Sequence, residues 1–179
     1  QTIEDILFCM GWNVVGQLGL GDNTDRHTPV KVSLVGNKNV LTFSVGYFHV
    51  CAIDIENRVQ CWGYNYYGQL GVGDNSNRNI PTLVSSQAGE AEKISAGGYH
   101  TCLKKMDTSI WCMGYNAYGQ LGDGSTTNRN TPVQVNLSAS VTPVDVKLGN
   151  YHSCITTDVI NEIYCWLLLG NSTVQGRLH

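Results

Sequence analysis

Cys61-Trp62-Gly63-Tyr64-Asn65-Tyr66-Tyr67-Gly68-Gln69-Leu70-Gly71 decides the fold, because the chain carries this stretch more than once. Its core, Gly68 to Gly71, stands also at Gly16-Gln17-Leu18-Gly19 and at Gly119-Gln120-Leu121-Gly122. Moving outward, Pro29, Pro81 and Pro132 keep the same intervals. So do His49, His100 and His152, each followed two residues later by Cys51, Cys102 and Cys154. A second cysteine series, Cys9, Cys61, Cys112 and Cys165, advances in step. Several independent markers sharing one period of roughly fifty-one residues establish an internal repeat, present in about three and a half copies.

One repeat reads as four short strands. Asn39 to Val45 and Phe48 to Ile55 are rich in Val, Ile and aromatics, broken at Gly46. Asp54-Ile55-Glu56-Asn57 is turn chemistry, and Arg58 to Tyr64 alternates again, closing a hairpin. Residues Asn65 to Asn79 have no apolar periodicity and read as a loop. Pro81 to Val84 reads as the fourth strand, with Pro81 at its first residue, where no ladder donor is lost. No segment has an amphipathic helical pattern of useful length. The expectation is an all-β chain of β-propeller blades, each of four antiparallel strands. Residues 1–179 then form one partial propeller of repeat units near 1–38, 39–90, 91–140 and 141–179.

The cysteines recur in pairs across the hairpin: Cys51 with Cys61, Cys102 with Cys112, and Cys154 with Cys165. A hairpin turning near residue 56 puts 51 opposite 61, close enough for a disulfide. Reduced thiols packed as small hydrophobes are a second reading, and zinc a third, disfavoured by the absence of Cys-x-x-Cys spacing. Disulfides are favoured, and with them an exported, secreted or cell-surface protein. Cys9 stands where Cys61 and Cys112 stand, and its partner would precede residue 1. The chain is therefore expected to start inside a blade, a piece of a longer ring, with apolar faces open to self-association. After Trp166 the repeat is lost.

Gly-x-x-His-x-Cys, then Cys-Trp-Gly-Tyr-Asn-x-x-Gly-Gln-Leu-Gly-x-Gly-Asp, then Pro-x-x-Val resembles the regulator of chromosome condensation repeat, fullest here from Gly46 to Val84. The resemblance runs from residue 9 to Trp166. It implies a ring of seven four-stranded blades, of which about half is present, and a loop-rich surface that grips another protein. The family includes a nucleotide exchange factor for a small GTPase, modules of ubiquitin ligases, trafficking proteins and secreted inhibitors. The loops here are of even length, without the exchange factor's extra hairpin wedge, and the paired cysteines look like those of exported members.

Composition and motifs speak against catalysis. Charged residues make up 14% of the 179 and the formal net charge is −3, so no basic footprint for nucleic acid exists. No apolar run reaches the length of a membrane span. The three histidines occupy one equivalent position per repeat, which suits a structural role satisfying backbone groups in the strand turn better than a catalytic one. A metal ring on the propeller axis is the minor alternative. The Gly19/Gly21 and Gly71/Gly73 pairs open no helix and read as turns with positive φ, not phosphate loops. Residues 22–25, Asp-Asn-Thr-Asp, fail calcium-loop spacing. Two sequons occur, at Asn136 and Asn171. No catalytic residue, metal or cofactor is assigned. Gly16, Gly19, Gly68, Gly71, Gly119, Gly122 and the three histidines are assigned to structure.

Eight of nine tyrosines lie in two recurring loop motifs, amid Gly and Asn, a composition like that of antibody paratopes. Aromatics that repeat in register (Trp12, Tyr64 and Tyr115; Phe48, Tyr99 and Tyr151) are read as blade packing. Positions that vary between blades are the candidates for reading a partner: Val14, Val15, Tyr66, Tyr67, Ala117 and Tyr118, with Tyr47 and its equivalents Gly98 and Asn150. The function expected is a non-catalytic protein-binding or scaffold propeller. An exchange-factor-like regulator and a carbohydrate-binding propeller are the alternatives.

Overall fold

Strand β4 (His49–Asp54) is buried along its whole length, which an alternating sequence achieves only when both faces of its sheet are covered. The computed structural model, which describes residues 5–159, 162–166 and 176–177, supplies that cover by setting sheets side by side. The first holds β1 (Phe8–Gly11) and β2 (Arg26–Lys31). The second runs β3 (Val40–Val45), β4, β5 (Val59–Gly63) and β6 (Arg78–Leu83). The third runs β7 (Ala91–Ala96), β8 (His100–Lys105), β9 (Ile110–Gly114) and β10 (Arg129–Gln134). The fourth runs β11 (Pro143–Leu148), β12 (Ser153–Thr157), β13 (Ile163–Trp166) and β14 (Gly176–Arg177). Every pairing is antiparallel between neighbours in sequence, so each of the last three sheets is a four-stranded meander. This is the architecture of propeller blades, as the repeat implied.

The core is three slabs between blades. Val50, Ala52 and Trp62 face the first blade and pack with Leu7, Val32 and Leu34. Their neighbours in alternation, Cys51, Ile53, Val59 and Cys61, face the third blade and meet Ile94, Leu103 and Met113. Cys102, Ile110 and Cys112 repeat the arrangement against Val146, Ile155 and Trp166. A fully buried side chain such as Trp62 or Leu103 contributes about 1.5–3 kcal/mol through lost water contact, so most of the stability sits between blades rather than within them. Innermost strands are tied as well: Ala96 N–H donates to Ser44 Oγ (3.0 Å), and Leu148 N–H to Ser95 Oγ (3.1 Å). At the other edge, Phe8, Met10, Phe43 and Val45 stay exposed around an apolar cleft of about 440 Å³.

The Gly-Gln-Leu-Gly motif is inter-blade glue. A Cβ on Gly71, whose φ is +67°, would lie 2.2 Å from Met113 Sδ of the third blade. One on Gly19 (φ +71°) would lie 2.7 Å from Trp62 Nε1 of the second. Positive φ and absent side chain are both required there.

The hairpin register places Cys51 opposite Cys61, Cys102 opposite Cys112 and Cys154 opposite Cys165. Each pair is disulfide-bonded, with Cα atoms 4.1 Å apart. Cys9 is free and half-buried. One expectation changes. β6 begins at Arg78, so Pro81 is interior to it; it sits on the outermost strand, in the irregular stretch between the Cys61–Thr82 and Gly63–Arg78 pairs, where the ladder asks nothing of its nitrogen. The Asn65–Asn79 segment is a loop as far as Asn77, and Asn65, Gln69 and Leu70 within it are fully buried. The second sequon and the loss of the repeat after Trp166 lie outside the described residues.

Candidate functional site

Antiparallel pairing brings the β3–β4 turn and the β5–β6 loop to the same end of each blade, since His49 pairs with Gly63 and His100 with Gly114. The loop is built around one buried asparagine. Asn65 Nδ2 donates to the carbonyls of Asp74 (2.9 Å) and Ser76 (3.0 Å), and Oδ1 accepts from Leu70 N–H (3.0 Å). Asn13 and Asn116 do the same in their blades. The motif glutamine adds a second lock: Gln69 Oε1 accepts from Tyr67 N–H (3.1 Å), as Gln17 does from Val15 and Gln120 from Tyr118. Between these locks the two intervening residues are pushed outward. Val14, Tyr66, Ala117 and Tyr118 are exposed, and Val15 and Tyr67 half-buried. Farther along each loop an aspartate pairs with an arginine: Asp22 with Arg26, Asp74 with Arg78, Asp123 with Arg129.

The projected side chains form one continuous aromatic surface. Tyr47 stacks on Tyr99 (centroids 6.2 Å, interplanar 2°), and Tyr99 reaches Tyr151 at 6.2 Å. A second row runs from Tyr64 through Tyr67 (6.3 Å) to Tyr115 (4.8 Å) and Tyr118 (5.9 Å). Cross-contacts join them: Phe48 to Tyr64, Tyr67 to Tyr99, and Tyr118 to Tyr151. Trp12 extends the surface through Phe48, at 5.6 Å. Tyr66 is 65% exposed, Tyr47 60% and Trp12 52%.

This corrects the sequence reading of the repeated aromatics. Trp12, Phe48, Tyr64, Tyr99, Tyr115 and Tyr151 are exposed or half-exposed members of the same surface as the variable ones. The residues that pack blades are Trp62, Leu70, Leu103, Met113 and Leu121. Equivalence by repeat therefore did not mean burial.

His49 and His100 tie blades together through side-chain hydroxyls, which differs from the expected backbone role. Thr101 Oγ1 donates its single proton to the Gln69 carbonyl (2.8 Å), so it must accept from His49 Nε2 (2.8 Å). Ser153 likewise donates to the Gln120 carbonyl (2.8 Å) and accepts from His100 Nε2 (2.9 Å). Both rings are buried neutral, with Nδ1 lacking a partner. Burial lowers the pKa of His49 to about 4; for His100 burial and the neighbouring His49 and His152 lower it to about 3. His152 is exposed, because no described blade follows the fourth. Among the described residues no group of three or more His, Cys, Asp and Glu is placed to hold a metal ion, and no helix is long and apolar enough to cross a membrane.

The Regulator of chromosome condensation (RCC1) repeat model matches residues 4–53, 56–103 and 107–156, and a second model of that repeat matches 40–69 and 91–120. The chain is 31% identical over 166 residues to the ultraviolet-B receptor UVR8 of Arabidopsis thaliana, covering 92% of this chain and 38% of that protein. It is 30% identical over 169 residues to the probable E3 ubiquitin-protein ligase HERC4 of Homo sapiens, covering 92% of this chain and 16% of the ligase. The chain thus spans well under half the length of either relative. Among solved structures, human WBSCR16 superposes with a TM-score of 0.80 at 22% identity over 92% of this chain and 43% of its own. Yeast RCC1 (Prp20), solved with Kap60, superposes at 0.77 and 20% identity over 90% of this chain and 38% of its own. Three consecutive blades bearing the matched repeat place this chain in the regulator of chromosome condensation (RCC1) repeat family.

Proposed function

We propose that this propeller segment is a non-catalytic protein-binding module whose working surface is the aromatic face. The observation that carries this is the continuity of that face: rings from four blades touch one another at the surface, although burying them together would have been more favourable unless the surface has a use. Tyrosine and tryptophan supply large, rigid contact area at small entropic cost. One solved relative adds support: yeast RCC1 (Prp20) is described bound to Kap60 and, in a second structure, by its binding to Gsp1p and histones. The partner-reading positions are Val14, Val15, Tyr47, Tyr66, Tyr67, Ala117 and Tyr118, joined now by Trp12, Tyr99 and Tyr151. An oxidising, exported setting is part of the proposal and rests on the three disulfides. The test is a footprint. Peptides and small domains enriched by display on the immobilised chain should slow hydrogen exchange at 64–67, 97–99 and 115–118. Protection confined to the outer strands β6 and β10 would refute the proposal.

A further inference from the structure

We propose that Asn136 is an N-glycosylation site, carrying its sugar on the end of the blades opposite the aromatic face. This rests on the exported setting proposed above, and it assigns a covalent modification to a surface that the binding reading leaves unused.

Asn136-Leu137-Ser138 is an Asn-x-Ser acceptor pattern, whose use requires a surface loop of an exported chain. The fold provides such a loop. Asn136 N–H donates to the Gly122 carbonyl (2.8 Å) and Leu137 N–H to the Val135 carbonyl (3.0 Å), so the backbone turns tightly at Asn136. Leu137 packs against the slab between the third and fourth blades, while Asn136 and Ser138 on either side of it are exposed. Asn13, Asn65 and Asn116 spend their side-chain amides on loop carbonyls; among the described residues no hydrogen bond holds that of Asn136. Its Nδ2 lies over Gly124, where a Cβ would stand only 3.2 Å away, so the missing side chain keeps the reacting nitrogen open.

The repeat shows that this acceptor is no part of blade building. Ser85 N–H donates to the Gly71 carbonyl (3.0 Å) as Asn136 N–H does to that of Gly122, so Ser85 is the second blade's equivalent. There the sequence reads Ser85-Ser86-Gln87, without an acceptor asparagine. The position also suits a bulky group. β10 starts at Arg129, opposite Gly114 and the aromatic loops, and ends at Gln134, next to Trp111. Six residues of strand, about 20 Å, separate Asn136 from the aromatic end. A hydrated glycan there leaves the binding face free.

The co-reactant is a lipid-diphosphate-linked oligosaccharide of the eukaryotic secretory pathway. Asn136 Nδ2 attacks the anomeric carbon of its first sugar. The C–N bond forms, the C–O bond to the diphosphate breaks, the lipid diphosphate leaves with the electron pair, and Nδ2 gives up one proton.

The experiment expresses the whole chain behind a cleavable leader in cultured mammalian cells and maps the secreted protein by mass spectrometry. Peptide-N-glycosidase in heavy-oxygen water should convert Asn136 to a labelled Asp. Asn136→Gln and Ser138→Ala should each abolish that label, and Ser138→Thr should retain it. A display-selected binder of the aromatic face should bind the glycosylated chain and Asn136→Gln with Kd values within about twofold. An unmodified Asn136 in a secreted chain whose three disulfides have formed would overturn the glycan assignment alone. Free thiols at the paired cysteines would bring down the exported setting, and the glycan with it. A Kd weakened about tenfold or more by the glycan would refute its placement away from the binding face.

Discussion

A histidine that donates its ring proton to a hydroxyl in the next blade, and keeps Nδ1 buried without an acceptor, cannot take a second proton cheaply. His49 and His100 are both in that position, with pKa values lowered to about 4 and about 3. In the unfolded chain each titrates near 6.5. Below that pH the unfolded state binds protons that the folded state refuses, so stability is complete above about 6.5 and falls as the solution is acidified. Each histidine costs about 1.4 kcal/mol per pH unit over this window, down to its folded value. The melting temperature should therefore drop between pH 7 and 5, and the slope should shrink by roughly half in His100→Gln, whose amide can still donate to Ser153. A melting temperature flat over that range would contradict the account. The buried asparagines carry the converse lesson about reading a sequence. Asn65 looked like loop composition because its partners lie five to eleven residues away, and a short polar side chain gives no periodic signal of such bonds.

At the level of the hairpin, spacing was legible because geometry leaves little choice. Strand positions ten apart about a turn centred on residue 56 face each other, and Cys51 and Cys61 do so. The account predicts three disulfides and one free thiol, Cys9, by non-reducing peptide mapping. Three or more free thiols besides Cys9 would contradict it. Each bond closes a short loop and should stabilise by about 2–3 kcal/mol in the chain-entropy model, so reduction should lower the melting temperature. The fourth strand was less legible. Its pairing is irregular between Thr82 and Arg78, and Pro81 within that irregular stretch reads from sequence as a beginning rather than a middle.

Across the whole chain, the repeat period gave the blade architecture without ambiguity, since markers held at a constant interval demand equivalent positions in equivalent sheets. It did not say which equivalent positions face outward. Trp62 and Trp12 illustrate the difficulty: both follow a strand cysteine closely, yet Trp62 is sealed under Gln17 of the preceding blade and Trp12 lies on the aromatic surface. Trp62 lies within β5, one residue after its cysteine, whereas Trp12 follows Cys9 by three and stands past the end of β1, where Gly11 (φ 112°) turns the chain. The division of labour that results is the centre of the account: the aromatic face binds, while the Gly-Gln-Leu-Gly and histidine positions hold blade to blade. Its most direct test measures melting temperature and affinity for one display-selected binder together, in Tyr66→Ala and Tyr118→Ala on one side and Gly71→Ala and His100→Ala on the other. The tyrosine variants should lose about 2 kcal/mol of binding and keep their melting temperature, and the second pair should melt earlier by several degrees. Tyrosine variants that melt early and bind as tightly as the parent would contradict it.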